Sequence, residues 1–178
     1  LFGGEPLLCF DNLIVPLVEK FGDRVEFGIT TNGTLLDEDK VDFFYKHKVG
    51  ILLSIDGDKE TQDRQRSNSF DAVYKNIAYL LFRFPETTFR STMTRESIPE
   101  LKRNFDFARK CGFHHFQYIL DFFEKGYTEE DFKLLEGQQD DIVIDMISDI
   151  YDLREPKLIL DSAVKAFRDI KYMNENNL

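Results

Sequence analysis

Hydrophobic residues recur along the chain in two alternating patterns. Short apolar runs rich in β-branched and aromatic residues predict strands. These strands are predicted at 25–30, 50–55, 87–93 and 114–120. Between them, apolar residues spaced three and four positions apart predict helices, and the longest of these starts at Phe70. Strand and helix therefore alternate from the start of the chain to about residue 120.

This alternation predicts a parallel sheet joined by right-handed helical crossovers. Residues 50–55 are almost continuously apolar, which is typical of a parallel strand covered on both faces. The sequence therefore predicts an α/β fold.

Several residues mark the expected ends of helices. Asp37 and Ser69 are predicted N-caps, and Ser97 with Glu100 three positions later has the pattern of a capping box. Gly112 is predicted to end the last helix between strands.

Beyond Phe123 the pattern predicts helices only. Thr128 is a predicted cap, Pro156 is expected to break the helix that follows, and residues 160–173 are predicted as a final helix. This part is also acidic, because residues 121–178 contain 15 acids and 7 bases. The change in composition predicts two units, 1–122 and 123–178.

Charge and cysteine usage exclude some classes of function. A net charge of −10 disfavours nucleic acid as a partner, because phosphates would be repelled. Apolar runs are too short to span a bilayer, which argues against membrane insertion. The two cysteines, Cys9 and Cys111, give no disulfide framework, and this fits a reducing cytoplasm.

Polar residues cluster where the predicted strands end. Gly3, Gly4, Glu5 and Pro6 open the chain, Thr31 and Asn32 follow the strand at 25–30, and Ser54 and Asp56 close the strand at 50–55. Ligands of parallel α/β proteins bind at the carboxyl ends of the strands. The sequence therefore predicts one shared site, in which two glycines let a ligand approach the backbone and Glu5 meets a cationic group.

Each of these residues also has a purely structural interpretation. Glu5 could cap a nearby helix, and Asn32-Gly33 and Asp56-Gly57 are ordinary turn pairs. Arg66 could pair with Asp63 at the surface, where an ion pair contributes little.

Five segments together resemble one family. They are Leu-Phe-Gly-Gly-Glu-Pro-Leu-Leu at 1–8, Ile-Thr-Thr-Asn-Gly-Thr-Leu-Leu at 29–36, Leu-Ser-Ile-Asp-Gly at 53–57, Asp-Arg-Gln-Arg at 63–66 and Ser-Phe-Asp at 69–71. In this order and spacing, the set resembles the radical S-adenosylmethionine enzymes. It is most similar to their SPASM-type, peptide- and protein-modifying branch, which includes anaerobic sulfatase-maturating enzymes and thioether-forming peptide maturases. The resemblance covers roughly the first two thirds of the chain, and it implies a partial (β/α)6 TIM-like barrel of parallel strands followed by a C-terminal helical segment.

The resemblance also implies a cofactor, S-adenosylmethionine. In this interpretation Glu5 binds the methionine ammonium, Ser54 with Arg66 binds the carboxylate, Arg90 is the second choice for that carboxylate, and adenine lies against residues 118–120. The implied cofactor-binding residues are Gly3, Gly4, Glu5, Pro6, Thr31, Asn32, Ser54, Asp56, Arg66, Arg90 and Ile119.

The family also uses a 4Fe-4S cluster held by a Cys-x-x-x-Cys-x-x-Cys loop that precedes the Gly-Gly-Glu-Pro turn. This chain starts at that turn and has only Cys9 and Cys111, so we interpret it as part of a longer protein. We expect that the chain alone neither assembles the cluster nor turns over. No catalytic residue and no metal ligand is assigned within it.

The expected partner is a peptide or protein whose side chain is modified. Phe122 and Phe123, beside the acidic segment, are candidates for a peptide-binding lip. A sheet edge at Phe2 that lacks a partner strand could support a dimer. Two alternatives stay open: a non-catalytic module that binds a nucleotide or peptide, and an enzyme similar to the glycyl-radical activases, against which residues 54–57 argue.

Overall fold

The computed structural model describes residues 1, 3–121, 123–152 and 158–161. Within these residues the centre of the fold is a parallel sheet whose strands lie side by side in chain order. The strands are β1 (Gly28–Thr31), β2 (Gly50–Ser54), β3 (Thr88–Met93), β4 (His115–Leu120) and β5 (Ile159–Leu160).

Helices connect the strands, as the alternating pattern predicts. The α-helices are α1 (Val15–Phe21), α2 (Glu38–Lys46), α3 (Lys59–Gln65), α4 (Phe70–Arg83), α5 (Leu101–Cys111) and α6 (Glu129–Tyr151). Shorter pieces are the 3₁₀ helices Pro6–Cys9 and Arg95–Glu100 and the π-helix Phe10–Ile14. The predicted α/β class with parallel strands is therefore confirmed. None of the helices in the described ranges is both long and apolar enough to cross a bilayer.

The prediction of helices only beyond Phe123 is wrong at β5. Ile159 donates its amide to the carbonyl of His114 at 2.9 Å, and Leu160 pairs with Phe116 of β4. A strand of two residues is too short to show a period, so the sequence could not reveal it. Pro156 and most of the helix predicted at 160–173 lie outside the described residues, and the boundary at residue 122 stays a prediction.

Three predicted helix ends are confirmed by their hydrogen bonds. The amide of Lys40 donates to Asp37 Oδ1 at 2.9 Å, and Gly112 ends α5 in the left-handed conformation with φ of 91°. Thr128 and Asp131 form a reciprocal pair at the start of α6, in which the Thr128 amide donates to the carboxylate at 2.7 Å.

Of the other two predicted caps, Ser69 occupies the N-cap position of α4 without forming the capping bond, and the predicted box of Ser97 with Glu100 is wrong. The amide of Phe70 donates to the carboxylate of Asp63 at 2.8 Å, whereas the Ser69 hydroxyl makes no capping bond. Ser97 forms its capping box with Thr94, three residues earlier, so the box opens the 3₁₀ helix rather than α5. In both cases a polar residue a few positions earlier in the chain, Asp63 or Thr94, makes the bond, and local sequence does not distinguish the alternatives.

The sheet has two unlike faces. Ile29, Leu53, Phe89 and Phe116 are at most 2% exposed and form one core with the apolar sides of the helices. The other face is only half-buried over most of its area. We call it the open face, and its residues are Thr30, Leu52, Ser54, Thr88, Arg90, Thr92, His115, Gln117 and Ile119. The expectation that β2 is covered on both faces is therefore wrong, since Leu53 is its one fully buried residue.

We expect Gly33→Ala to lower the free energy of unfolding by about 2 kcal/mol. Gly33 has φ of 75°, and an added Cβ would lie 2.6 Å from Leu53 Cδ1. Gly137→Ala is the matched control, because a Cβ there meets nothing within 4 Å and alanine favours a helix by about 1 kcal/mol. Urea unfolding of both variants measures the difference. Equal stability of the two would contradict the structure of this turn.

Candidate functional site

The opening turn lies at the carboxyl edge of the sheet, beside β1. The Leu1 amino group donates to the carbonyl of Gly28 at 2.5 Å, and Thr30 donates its amide to the carbonyl of Leu1 at 3.1 Å. Leu1 thus pairs with β1, while Phe2 and the edge predicted there lie outside the described residues. Gly3 and Gly4 follow with φ of 106° and 57°, values that glycine adopts without strain. The positive φ angles are what require glycine at these two positions. Lack of space is not the reason, because an added Cβ would meet nothing within 4 Å at either position.

Glu5 joins this turn to the end of β1. Its Oε1 accepts hydrogen bonds from the Thr31 hydroxyl at 2.8 Å and the Leu7 amide at 3.1 Å, and its Oε2 accepts one from the Asn32 amide at 2.8 Å. The structure therefore brings Glu5, Thr31 and Asn32 together, as the sequence predicts. The capping interpretation of Glu5 is also correct, because Leu7 lies in the first turn of the 3₁₀ helix that Pro6 begins.

A buried ion pair forms just beyond the end of β2. Asp56 is 3% exposed, and its carboxylate accepts Arg66 Nε at 2.6 Å and Nη2 at 3.0 Å. The same carboxylate accepts the Thr92 amide of β3 at 2.9 Å. Arg66 therefore pairs with Asp56 and not with Asp63, and the surface-pair interpretation of Arg66 is wrong.

Two glutamines that sequence reasoning missed complete this contact. Gln62 is fully buried, accepts the Asp56 amide at 2.8 Å and donates to the Ser69 hydroxyl at 2.9 Å. With its amide nitrogen turned toward the acceptors, Gln65 donates to Asp56 Oδ2 and to the Thr92 carbonyl, each at 3.1 Å. Sequence could have identified these glutamines from their positions on the inner side of α3. A short helix that packs polar side chains inward needs hydrogen-bond partners for them.

The open face carries a row of polar side chains with no partners of their own. Ser54 lies beside Arg90, and Arg90 lies beside Gln117, on three adjacent strands. All three are half-buried, and within the described part of the chain none has a side-chain hydrogen bond or ion pair. Sequence reasoning selected Ser54 and Arg90 but missed Gln117, although alternation from Ile119 places it on the same face.

Of the residues predicted to meet adenine, only Ile119 lies on the open face. Tyr118 and Leu120 project to the opposite face and pack against the core. The Tyr118 hydroxyl is hydrogen-bonded by Gln139 of α6, and burial raises the pKa of this tyrosine. The expected contacts of adenine with Tyr118 and Leu120 are therefore wrong, because successive residues of a strand face opposite ways.

The described residues do not fit an iron–sulfur cluster. Cys9 is exposed beside β1, whereas Cys111 is half-buried at the end of α5, where burial raises the pKa of its thiol to about 11. No group of three or more His, Cys, Asp or Glu in the described part of the chain has the arrangement of a metal site.

Comparison with known proteins gives several relatives, although no family model matches the chain. It is 29% identical over 128 residues to a cysteine-type anaerobic sulfatase-maturating enzyme of Clostridium novyi, a match that covers 66% of this chain and 34% of the enzyme. It is 25% identical to the radical SAM cyclopropyl synthase TigE of Paramaledivibacter caminithermalis, over 97% of this chain and 36% of that protein. The chain thus spans about a third of the length of these curated relatives.

Solved structures share the fold. The structure of anSMEcpe with bound AdoMet superposes with a TM-score of 0.71 at 20% identity, covering 89% of this chain and 46% of that protein. Streptococcus suis SuiB bound to its precursor peptide SuiA gives a TM-score of 0.62 at 21% identity, over 89% of this chain and 36% of SuiB.

The five sequence segments, the parallel sheet and these relatives agree. The chain is therefore similar in sequence to radical S-adenosylmethionine enzymes that modify peptides and proteins, and the resemblance predicted from its sequence is confirmed.

Proposed function

We propose that this chain forms part of the S-adenosylmethionine site of a radical enzyme that modifies a side chain of a peptide or protein. The observation that carries the proposal is the row Ser54, Arg90 and Gln117 on the open face of the sheet whose first strand, β1, ends at the Glu5 cluster. The interior of a (β/α)8 barrel is normally packed with bulky apolar residues. Half-buried polar groups without protein partners at this position favour a polar ligand.

Glu5 is the proposed partner of the methionine ammonium. Its carboxylate carries a full charge and has about four lone-pair positions, of which three receive hydrogen bonds from the protein. One position is therefore left for an ammonium donor, and such a charge-assisted bond is about twice as strong as a neutral one. Main-chain carbonyls of Gly3, Gly4 and Pro6 are proposed as the neutral acceptors.

Ser54 and Arg90 are the proposed partners of the methionine carboxylate. Arg66 was the first choice from sequence, but both of its described hydrogen bonds go to Asp56, which would be left as a buried charge if Arg66 turned away. Arg90 is half-buried and has no acidic partner among the described residues. Since a planar guanidinium can bind a carboxylate through two hydrogen bonds, Arg90 fits this role better.

The remaining predicted residues have supporting roles in this proposal. Ile119 offers an apolar surface to adenine, and Thr31 and Asn32 hold Glu5 in place. Asp56 acts through the backbone of β3 and through Arg66, without touching the ligand.

The chain itself is proposed to bind the cofactor without cleaving it. Cleavage needs an electron from a 4Fe-4S cluster, and Cys9 and Cys111 lie on different elements and cannot hold one. The cluster ligands would come from residues other than those described. A peptide substrate is supported by the structure of the similar protein SuiB with its precursor peptide.

We expect Arg90→Ala to raise the dissociation constant of S-adenosylmethionine by about 10- to 100-fold, because a hydrogen bond to a charged group is lost. Stability should change by less than about 0.5 kcal/mol, since among the described residues Arg90 has no partner that would be left unpaired. Isothermal titration calorimetry measures the first effect and urea unfolding the second. The control is Arg24→Ala, which removes an exposed arginine far from the sheet edge. Unchanged affinity in the Arg90 variant would exclude Arg90 from the site.

We expect Arg66→Ala to reduce stability and not to act primarily on cofactor affinity. It should lower the free energy of unfolding by about 3 kcal/mol, because the Asp56 carboxylate, 3% exposed, loses its cation and two hydrogen bonds. Lys59→Ala, which removes a surface ion pair with Asp71, should cost less than about 1 kcal/mol. Urea unfolding compares the two. If Arg66→Ala left stability intact and abolished cofactor binding, Arg66 would be the ligand residue after all.

A further inference from the structure

Phe123 is exposed at the edge of the sheet that carries the candidate site. Its side chain is 95% exposed, and it stands three residues beyond the end of β4. Phe123 belongs to the segment that follows β4, described at residues 121 and 123–127, and we call this segment the edge loop. Isolated exposed apolar residues are common on proteins and need no explanation alone. The anchoring of the edge loop and its charge make this one different.

The edge loop is tied to β3 at both ends. The Asp121 amide donates to the carbonyl of Met93 at 2.9 Å, and the Tyr127 hydroxyl lies 3.2 Å from the same carbonyl. Within the loop, the Phe123 amide donates to Asp121 Oδ1 at 2.9 Å and the Glu124 amide to the Asp121 carbonyl at 3.2 Å. Phe123 therefore sits on a turn whose backbone is fixed, and the loop cannot fold over to cover the ring without breaking these bonds.

Glu124 joins the edge loop to the neighbouring 3₁₀ helix. Its carboxylate accepts the Arg95 amide at 2.6 Å and lies 3.0 Å from the Tyr127 hydroxyl. Burial and this carboxylate together raise the pKa of Tyr127 to about 12, so its hydroxyl stays a donor at neutral pH. The Glu124 carboxylate is thus already hydrogen-bonded to the Arg95 amide and the Tyr127 hydroxyl.

Other acids around Phe123 are free to meet a partner. Residues 121–131 contain five acids and one base. Asp131 is paired with Arg95 at 2.8 Å, but Glu129 and Glu130 are exposed and make no ion pair in the described part of the chain. Arg95 contacts both Glu124 of the edge loop and Asp131 near the start of α6, so it holds the loop that carries Phe123 against the helix end that carries Glu129 and Glu130. A surface that presents an exposed aromatic ring and unpaired carboxylates is complementary to an apolar side chain flanked by basic residues.

We propose that Phe123, with Glu129 and Glu130, forms a lip that binds the peptide substrate through an apolar residue flanked by lysine or arginine. This inference rests on the proposed function, because that function supplies the peptide. Strands lie about 4.8 Å apart, so the end of β4 is about 10 Å from β2 and Ser54. An extended peptide covers that distance in about three residues. A peptide held at the lip therefore needs at least about three residues to reach the strand that carries Ser54 of the proposed cofactor site.

The test uses three short fluorescent peptides and fluorescence anisotropy. In the basic probe one leucine is flanked by lysines, in the acidic probe glutamates replace the lysines, and in the polar probe serine replaces the leucine. The chain is expected to bind the basic probe at least about tenfold more tightly than either of the others. This preference should shrink as salt rises, because the carboxylates are exposed.

Two variants locate the binding. Phe123→Ser should weaken binding of the basic probe about tenfold or more, whereas Phe82→Ser should have no effect, since Phe82 is 75% exposed on the outer side of α4. Glu129→Gln with Glu130→Gln should reduce the preference for the basic over the acidic probe, and Glu26→Gln serves as the charge control.

Equal binding of the three probes, equal effects of Phe123→Ser and Phe82→Ser, or no binding at all would overturn the lip. Dimerisation that Phe123→Ser abolishes, seen by sedimentation, would also overturn it, because the ring would then belong to a contact between copies. Titration of the same variants with S-adenosylmethionine tests the proposed function separately. If the chain does not bind S-adenosylmethionine but prefers the basic probe, the proposed function fails and the lip is supported. If it binds S-adenosylmethionine but shows no such preference, the lip fails and the proposed function is supported.

Discussion

The carboxyl edge of this sheet depends on one buried carboxylate. The Asp56 carboxylate accepts hydrogen bonds from Nε and Nη2 of Arg66 and from the backbone amide of Thr92, and the Asp56 amide donates to the side chain of Gln62. A carboxylate that is 3% exposed is tolerated only when it is paired and hydrogen-bonded. The pair therefore fixes the end of β2, the end of β3 and the end of α3 relative to one another.

This constraint determines which arginine remains for a ligand. Because Arg66 is committed to Asp56, turning it toward a ligand would uncover a buried charge at large cost. Arg90 has no such commitment among the described residues and lies next to Ser54 on the open face. An arginine with an internal partner stabilises the fold, and one without a partner is available for recognition.

The opening turn, beside β1, also contains a carboxylate that the protein holds in place with hydrogen bonds. Glu5 receives three hydrogen bonds from the protein, which hold its carboxylate in a fixed position beside β1. A carboxylate held in this way loses little conformational freedom when a cation arrives, so binding is favoured by preorganisation. The structural and the functional interpretations of Glu5 are therefore compatible, and the capping bond supports the proposed role.

Sequence alone determined the elements that have a strong period and the residues that follow them. The four longer strands, the helices between them and the polar ends of β1 and β2 are all encoded by local patterns, because alternation and helix spacing are properties of neighbouring residues. The five segments at 1–71 also revealed the similarity to radical S-adenosylmethionine enzymes, which the relatives confirm.

Only the tertiary structure decided which partner each polar residue has. Arg66 could have met Asp63, a ligand or Asp56, and Phe70 could have been capped by Ser69 or Asp63, since each choice satisfies local rules equally well. The short β5 became visible only through its pairing with β4, a strand distant in sequence. Hydrogen bonds between distant residues are set by the packing of helices on one face of the sheet, and that packing is not written in any single stretch of the chain.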